Sequence, residues 1–113
     1  MANAESDQIV DISVTAADTD KLADITRELV QRHLVACGNI VSGVRSVYVW
    51  AGEINDDSES LVILHTRRSL VPAVIDYVEA VHPDETPQII ATEAVEVHPG
   101  YRQWVLDSTR QAG

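Results

Sequence analysis

Four histidines, one cysteine and an excess of carboxylates are the side chains of this 113-residue chain best suited to chemistry. The densest group is Val81-His82-Pro83-Asp84-Glu85-Thr86-Pro87-Gln88, where an imidazole and two carboxylates fall within four residues. Such a stretch suits a metal site, the rim of a ligand pocket or the stop of a helix, since Pro83 biases His82 away from helical angles. No HxxxH, HExxH or CxxC spacing links His33, His65, His82, His98 and Cys37, so no closed zinc site is written along the chain. A site could still assemble in three dimensions from His82, Cys37 and acids, and thiolate with imidazole suits copper or zinc better than magnesium. Cys37 itself, within the apolar run Val35-Ala36-Cys37-Gly38-Asn39-Ile40-Val41, reads as a small packed residue, a ligand-site liner or a nucleophile. His65 reads as a core or pocket-wall residue, His33 as a residue near a helix C-terminus, and His98 as a turn residue before Pro99. Glu53, Asp56, Asp57 and Glu59 lack EF-hand spacing and read as a solvated hairpin tip. No glycine-rich phosphate loop and no GxSxG elbow is present.

The aromatic side chains are few: two tryptophans, three tyrosines and no phenylalanine. Tyr48 and Trp50 alternate with Val47 and Val49, so a strand here turns two large rings to one face and two valines to the other. Aromatics set away from a core are common at interfaces and pocket walls, and a two-sided apolar hairpin on a small domain predicts self-association. Charge narrows the partners. Acidic side chains number 18 against 8 basic ones, a formal net charge of −10. That field repels nucleic-acid backbones and anionic lipid, and it either concentrates cations or serves solubility. The length suits one domain with a single core, and a lone cysteine excludes an internal disulfide and fits a reducing cytosol. The start, Met1 to Gln8, has neither a basic nor an apolar signal region, and no apolar run approaches the ~18 residues of a membrane span.

The elements that must hold these residues follow from periodicity. Residues 1–8 read as a flexible leader, and 9–113 as a single domain. Val10, Ile12 and Val14 alternate with Asp11, Ser13 and Thr15, predicting a strand. Asp18 or Thr19 can cap a helix carrying Leu22, Ile25 and Leu29, widened by Val30 and Leu34. A short apolar run with glycines at both turns precedes a hairpin spanning about Val44–Thr66, with Asn55-Asp56-Asp57-Ser58 as its turn. Ser69 can cap a second helix to Val81, with Pro72 in the first turn and Val71, Val74, Ile75 and Val78 as its apolar stripe. A strand from Gln88 and a last helix opened by Pro99, with Tyr101, Trp104 and Val105 on one face, complete the order. This predicts an α+β fold: a ferredoxin-like βαββαβ antiparallel sheet with two helices on one face, plus a C-terminal helix.

In combination and in order, Ala36-Cys37, Ser46-Val47-Tyr48, Trp50, Gly52-Glu53, Asp57-Ser58-Glu59, Thr66-Arg67-Arg68, His82-Pro83 and the Tyr101–Trp104 pair resemble the CutA family of divalent-cation tolerance proteins. The likeness runs from about Val10 to Leu106. It implies a cytoplasmic, non-enzymatic homotrimer whose long hairpins pair across subunits, with clefts between subunits and an architecture similar to the PII signal proteins. It also implies a link to copper or another divalent cation, none being required for folding. The ligand cleft is then expected at Cys37, Trp50, Glu59, His65, His82, Glu85 and Trp104. Cys37 and His82 would be the soft metal donors, Glu59 would orient His82 or bind the cation, and Trp50 and Trp104 would form apolar walls. The sequence departs from the family at points that matter. Val14 and Val81 stand where some members carry a copper-linked cysteine and histidine, Asp84 replaces a usual tyrosine, and His65 a common lysine. These departures lend weight to a second expectation, a PII-like signalling or scaffold trimer binding an organic effector or a partner protein.

Overall fold

The computed structural model describes residues 7–111. Its elements are β1 (Ile9–Ala16), α1 (Thr19–Gln31), β2 (Cys37–Trp50), β3 (Glu53–Arg67), α2 (Val71–Val81), β4 (Ile89–Glu93) and α3 (Pro99–Ser108). The strands form one antiparallel sheet in the order β2-β3-β1-β4, the ferredoxin-like arrangement expected from the element order. Val10, Ile12 and Val14 of β1 and Val62 and Leu64 of β3 bury one face of the sheet against Leu22, Ile25 and Leu29 of α1 and Val74 and Val78 of α2. α3 covers one end of the opposite face, packing Val105 and Leu106 on Ile9 and Ala36. Arg67 fixes it there: its guanidinium donates to Leu106 O and, at 2.9 Å, to Thr109 Oγ1. Burial lowers the proton affinity of that guanidinium, partly offset by the charge of Asp7.

Local chemistry explains where elements start and stop. Asp18 caps α1 by accepting from the backbone N–H groups of Asp20 and Lys21. His33, at φ 59°, takes the left-handed conformation that ends the segment, and Leu34 packs on the core from beyond the helix, whereas Val30 is exposed, off the buried stripe of Leu22, Ile25 and Leu29. Ser69 is not the cap of α2. It lies in a 3-10 turn (Arg68–Leu70) and donates to the Asp7 carboxylate instead. Of the expected leader, residues 1–6 lie outside the described residues, whereas Asp7 and Gln8 are tied down: Gln8 O accepts from Arg68 N, and Asp7 O from Arg102.

The hairpin is longer than expected and turns earlier. β2 is one strand of 14 residues with a bulge between Val41 and Val44, where Gly43 has φ 78°. Gly38 lies inside the strand rather than at a turn, and its lack of a side chain makes room for α1: a Cβ there would sit 2.6 Å from Thr26 Cγ2. The turn is Ala51-Gly52, with φ 54° and 79°, and Asn55 to Ser58 run within β3. Two positive φ values match the right-handed twist of a two-residue hairpin, and that geometry overrides the turn propensity of the Asn-Asp-Asp-Ser run. The resulting arm stretches the molecule to 47 Å against 27 and 24 Å in the other directions.

Candidate functional site

The arm and the turn after α2 flank an open cavity of about 720 Å³. Pairing of Val44 with Glu59, Ser46 with Asp57, Tyr48 with Asn55 and Trp50 with Glu53 sets these side chains on the sheet face away from α1 and α2. Ser46, Val47, Tyr48, Trp50 and Glu59 line the cavity from the arm, Thr15 from the end of β1, and Pro83, Asp84, Glu85, Thr86 and Gln88 from the turn. Tyr48 donates its hydroxyl proton to Asp57, which raises the phenol's proton affinity above the ordinary value. Partial desolvation and the negative charges of Asp57, Glu59 and Asp84 add to the effect. Three of the expected cleft residues, Trp50, Glu59 and Glu85, therefore share this cavity.

His82 has another task. It is 8% exposed, its Nε2–H donates to Thr15 O at 2.7 Å, and its Nδ1 accepts from Asp84 N at 3.0 Å. Both ring nitrogens are thus committed within the subunit, to the end of β1 and to the turn that Pro83 begins. The expected orientation of His82 by Glu59 does not occur, since its partners are Thr15 and Asp84. His82 pins the turn that forms one wall of the cavity.

The other expected residues gather elsewhere. Cys37 pairs with His65 across β2 and β3, and Glu59 lies six positions before His65 on β3, roughly 20 Å of strand away. His65 Nδ1 lies 2.6 Å from Asp11 Oδ1 and its Nε2 2.7 Å from Asn39 Oδ1. Tyr101 of α3 meets the His65 ring edge to face at 6.0 Å and the Trp104 ring at 5.5 Å, and its hydroxyl is 3.4 Å from Cys37 Sγ. Burial, then the bond to Cys37, push the Tyr101 phenol up to about 12. Cys37, His65 and Trp104 are thus brought together, but around a tyrosine, at the foot of α3. Among the described residues no group of three His, Cys, Asp or Glu is placed to hold a metal ion. His98, expected as a turn residue, is the N-cap of α3, its Nδ1 accepting from Gly100 N and Tyr101 N. Thr15 and Ser46 escaped sequence reasoning as cavity residues, because only the strand register brings them to the turn after α2. Asp11 and Asn39 could have been found as neighbours of His65 had the register been fixed in advance.

Fold and site together define a ferredoxin-like domain with a projecting hairpin arm and an acidic, aromatic-lined cavity between that arm and the turn after α2. Residues 10–108 match the family model described as "CutA1 divalent ion tolerance protein", and the chain belongs to that family. It is 38% identical over 96 residues to mouse "Protein CutA", covering 85% of this chain and 54% of the relative, so it spans about half the length of that relative. It is 33% identical to "Divalent-cation tolerance protein CutA" of Thermus thermophilus, covering 87% of this chain and 95% of the relative. The crystal structure of the divalent ion tolerance protein CutA1 from Ehrlichia chaffeensis superposes with a TM-score of 0.88 at 33% identity, covering 93% of this chain and 98% of that one.

Proposed function

We propose that the protein is a non-enzymatic homotrimer of the cytosol, associated with tolerance of divalent metals, and that it binds a metal ion or a small ligand in clefts between subunits. The observation that carries the reading is the arm, which leaves Val47, Val49, Trp50 and Ile54 exposed by 64, 67, 55 and 78%. Apolar surface of this kind on both faces of a projecting hairpin is the mark of an interface. The two edge strands, β2 and β4, support a closed ring, since each offers backbone groups to a neighbour and a head-to-tail contact closes when the rotation permits. The free thiol of Cys37 supports both a reducing compartment and a soft donor for copper or another divalent cation. His82 would join such a site only by releasing the Asp84 N–H or Thr15 O. A metal therefore needs donors from a second subunit beside Cys37. Copper titration of the assembled protein tests this arm of the reading: saturable binding abolished in Cys37→Ser supports it, and binding that ignores both Cys37 and His82 contradicts it.

The cavity favours a second reading, a PII-like signalling or scaffold trimer that takes an organic effector. Its volume lies in the ~300–1,000 Å³ range of small-molecule sites, and its walls combine aromatic rings with convergent polar groups. A thermal-shift screen of small organic molecules with and without divalent metals separates the two: stabilisation by an organic compound alone supports the effector, and stabilisation by metal alone the ion.

A further inference from the structure

We infer that the cavity between the arm and the His82 turn takes an organic cation, an ammonium or guanidinium group on an aliphatic stem. The inference rests on the reading of the cavity as a ligand site and gives its occupant a chemistry. One wall is made of the Tyr48 and Trp50 rings, and the Tyr48 hydroxyl is held by Asp57. Ring faces attract cations, ammonium and guanidinium groups above all. Glu59, Asp84 and Glu85 line the rest, and among the described residues of one subunit no lysine, arginine or histidine is in the lining to neutralise them. The bond to Asp57 is the main cause of the raised proton affinity of Tyr48, and the charges of Asp57, Glu59 and Asp84 add to it in the same direction. An anionic effector would meet those carboxylates with no counter-charge from the described lining of the same subunit. A bare divalent ion fits poorly for a different reason. It needs several ligand atoms converging on one point, and among the described residues no three carboxylate, histidine or cysteine groups converge. An organic cation has no such need: its charge is satisfied by spaced carboxylates and a ring face, and its stem by the ring edges and Val47.

The experiment uses the assembled protein carrying Trp104→Phe, whose remaining tryptophan is Trp50. Putrescine and agmatine are titrated at constant ionic strength, with adipate, 1,4-butanediol and copper as comparison probes. Expected is a saturable change in Trp50 fluorescence with the two amines and none with adipate or butanediol. Glu59→Gln and Asp84→Asn should each weaken amine binding by about tenfold, the scale of one charge contact in a partly dry site. Glu79→Gln, which removes a charge on α2 outside the cavity, should leave it unchanged. Equal loss in Glu79→Gln and Glu59→Gln would reduce the effect to diffuse charge and overturn the inference. A Glu59-sensitive response to adipate or to copper in place of the amines would overturn the organic cation while keeping a ligand site. No response to any probe in a protein of trimeric mass would overturn both.

Discussion

Replacing His82 by alanine separates its role in the turn from a role as metal donor. The side chain makes two hydrogen bonds to backbone, Nε2–H to Thr15 O and Asp84 N–H to Nδ1. Each such bond stabilises by about 1 kcal/mol net. Thr15 is buried, so its carbonyl is poorly placed to recover a water, and leaving it unpaired adds about 1 kcal/mol at the low end of the desolvation cost. Asp84 is exposed and its N–H recovers a water. The sum is about 3 kcal/mol for His82→Ala, which for a domain of this size lowers the melting temperature by roughly 10–20 °C. His82→Gln can restore the donor to Thr15 O and His82→Asn the acceptor for Asp84 N, so each should recover roughly half of that loss. Urea unfolding at one fixed protein concentration, followed by circular dichroism, measures the series, and copper titration runs in parallel. The refuting result is a His82→Ala protein as stable as the parent that has lost copper binding. His82 would then be free to coordinate, and its two backbone bonds would be dispensable.

Three further perturbations probe the elements around the site. Ala51→Asn places a residue that tolerates positive φ at the first turn position, beside Gly52, and should stabilise the hairpin by about 0.5–1 kcal/mol in urea unfolding. Arg67→Ala leaves Leu106 O and Thr109 without their guanidinium partner and should cost about 3 kcal/mol, with faster amide exchange concentrated in α3. The Tyr101 phenol ionises near 12 in the fold, above its ordinary value of 10.0, so the fold favours the neutral form. The stability this contributes is complete below pH 10 and is lost as pH rises toward 12. In Cys37→Ala, ultraviolet titration should show that tyrosine ionising at lower pH, though only part of the way to 10.0, because burial remains the larger cause.

The layers of the fold were legible because periodicity reports burial directly. Val10, Ile12 and Val14 on one face of β1, and Val74 and Val78 on α2, are buried as their spacing demands. Chain direction and turn position were harder. The Asn55-to-Ser58 run has the composition of a turn, yet Asp56 pairs with Arg45 across the strands through two hydrogen bonds at 2.8 and 2.7 Å. Cross-strand pairing outweighed local propensity, and Gly52 carried the turn. Gly38 misled for the opposite reason: its lack of a side chain serves the close passage of Thr26. The candidate site was legible in residue types and illegible in grouping. Trp50, Glu59 and Glu85 share one cavity, Cys37, His65 and Trp104 gather at the foot of α3, and His82 ties β1 to the turn. Residue identity signals that a side chain could bind something; strand register and the partners of each nitrogen decide whether it is available.

Self-association through the arm is the claim on which the inter-subunit cleft depends, and the mass of the protein in solution tests it most directly. Light scattering after size exclusion, across a dilution series, should return three times the 12.4 kDa chain mass, persisting on dilution. A paired substitution, Val49→Glu with Ile54→Lys on the exposed arm, should break the species down while the sheet signal in circular dichroism is retained. A monomer of 12.4 kDa at every concentration, with the arm unaltered, would contradict the account.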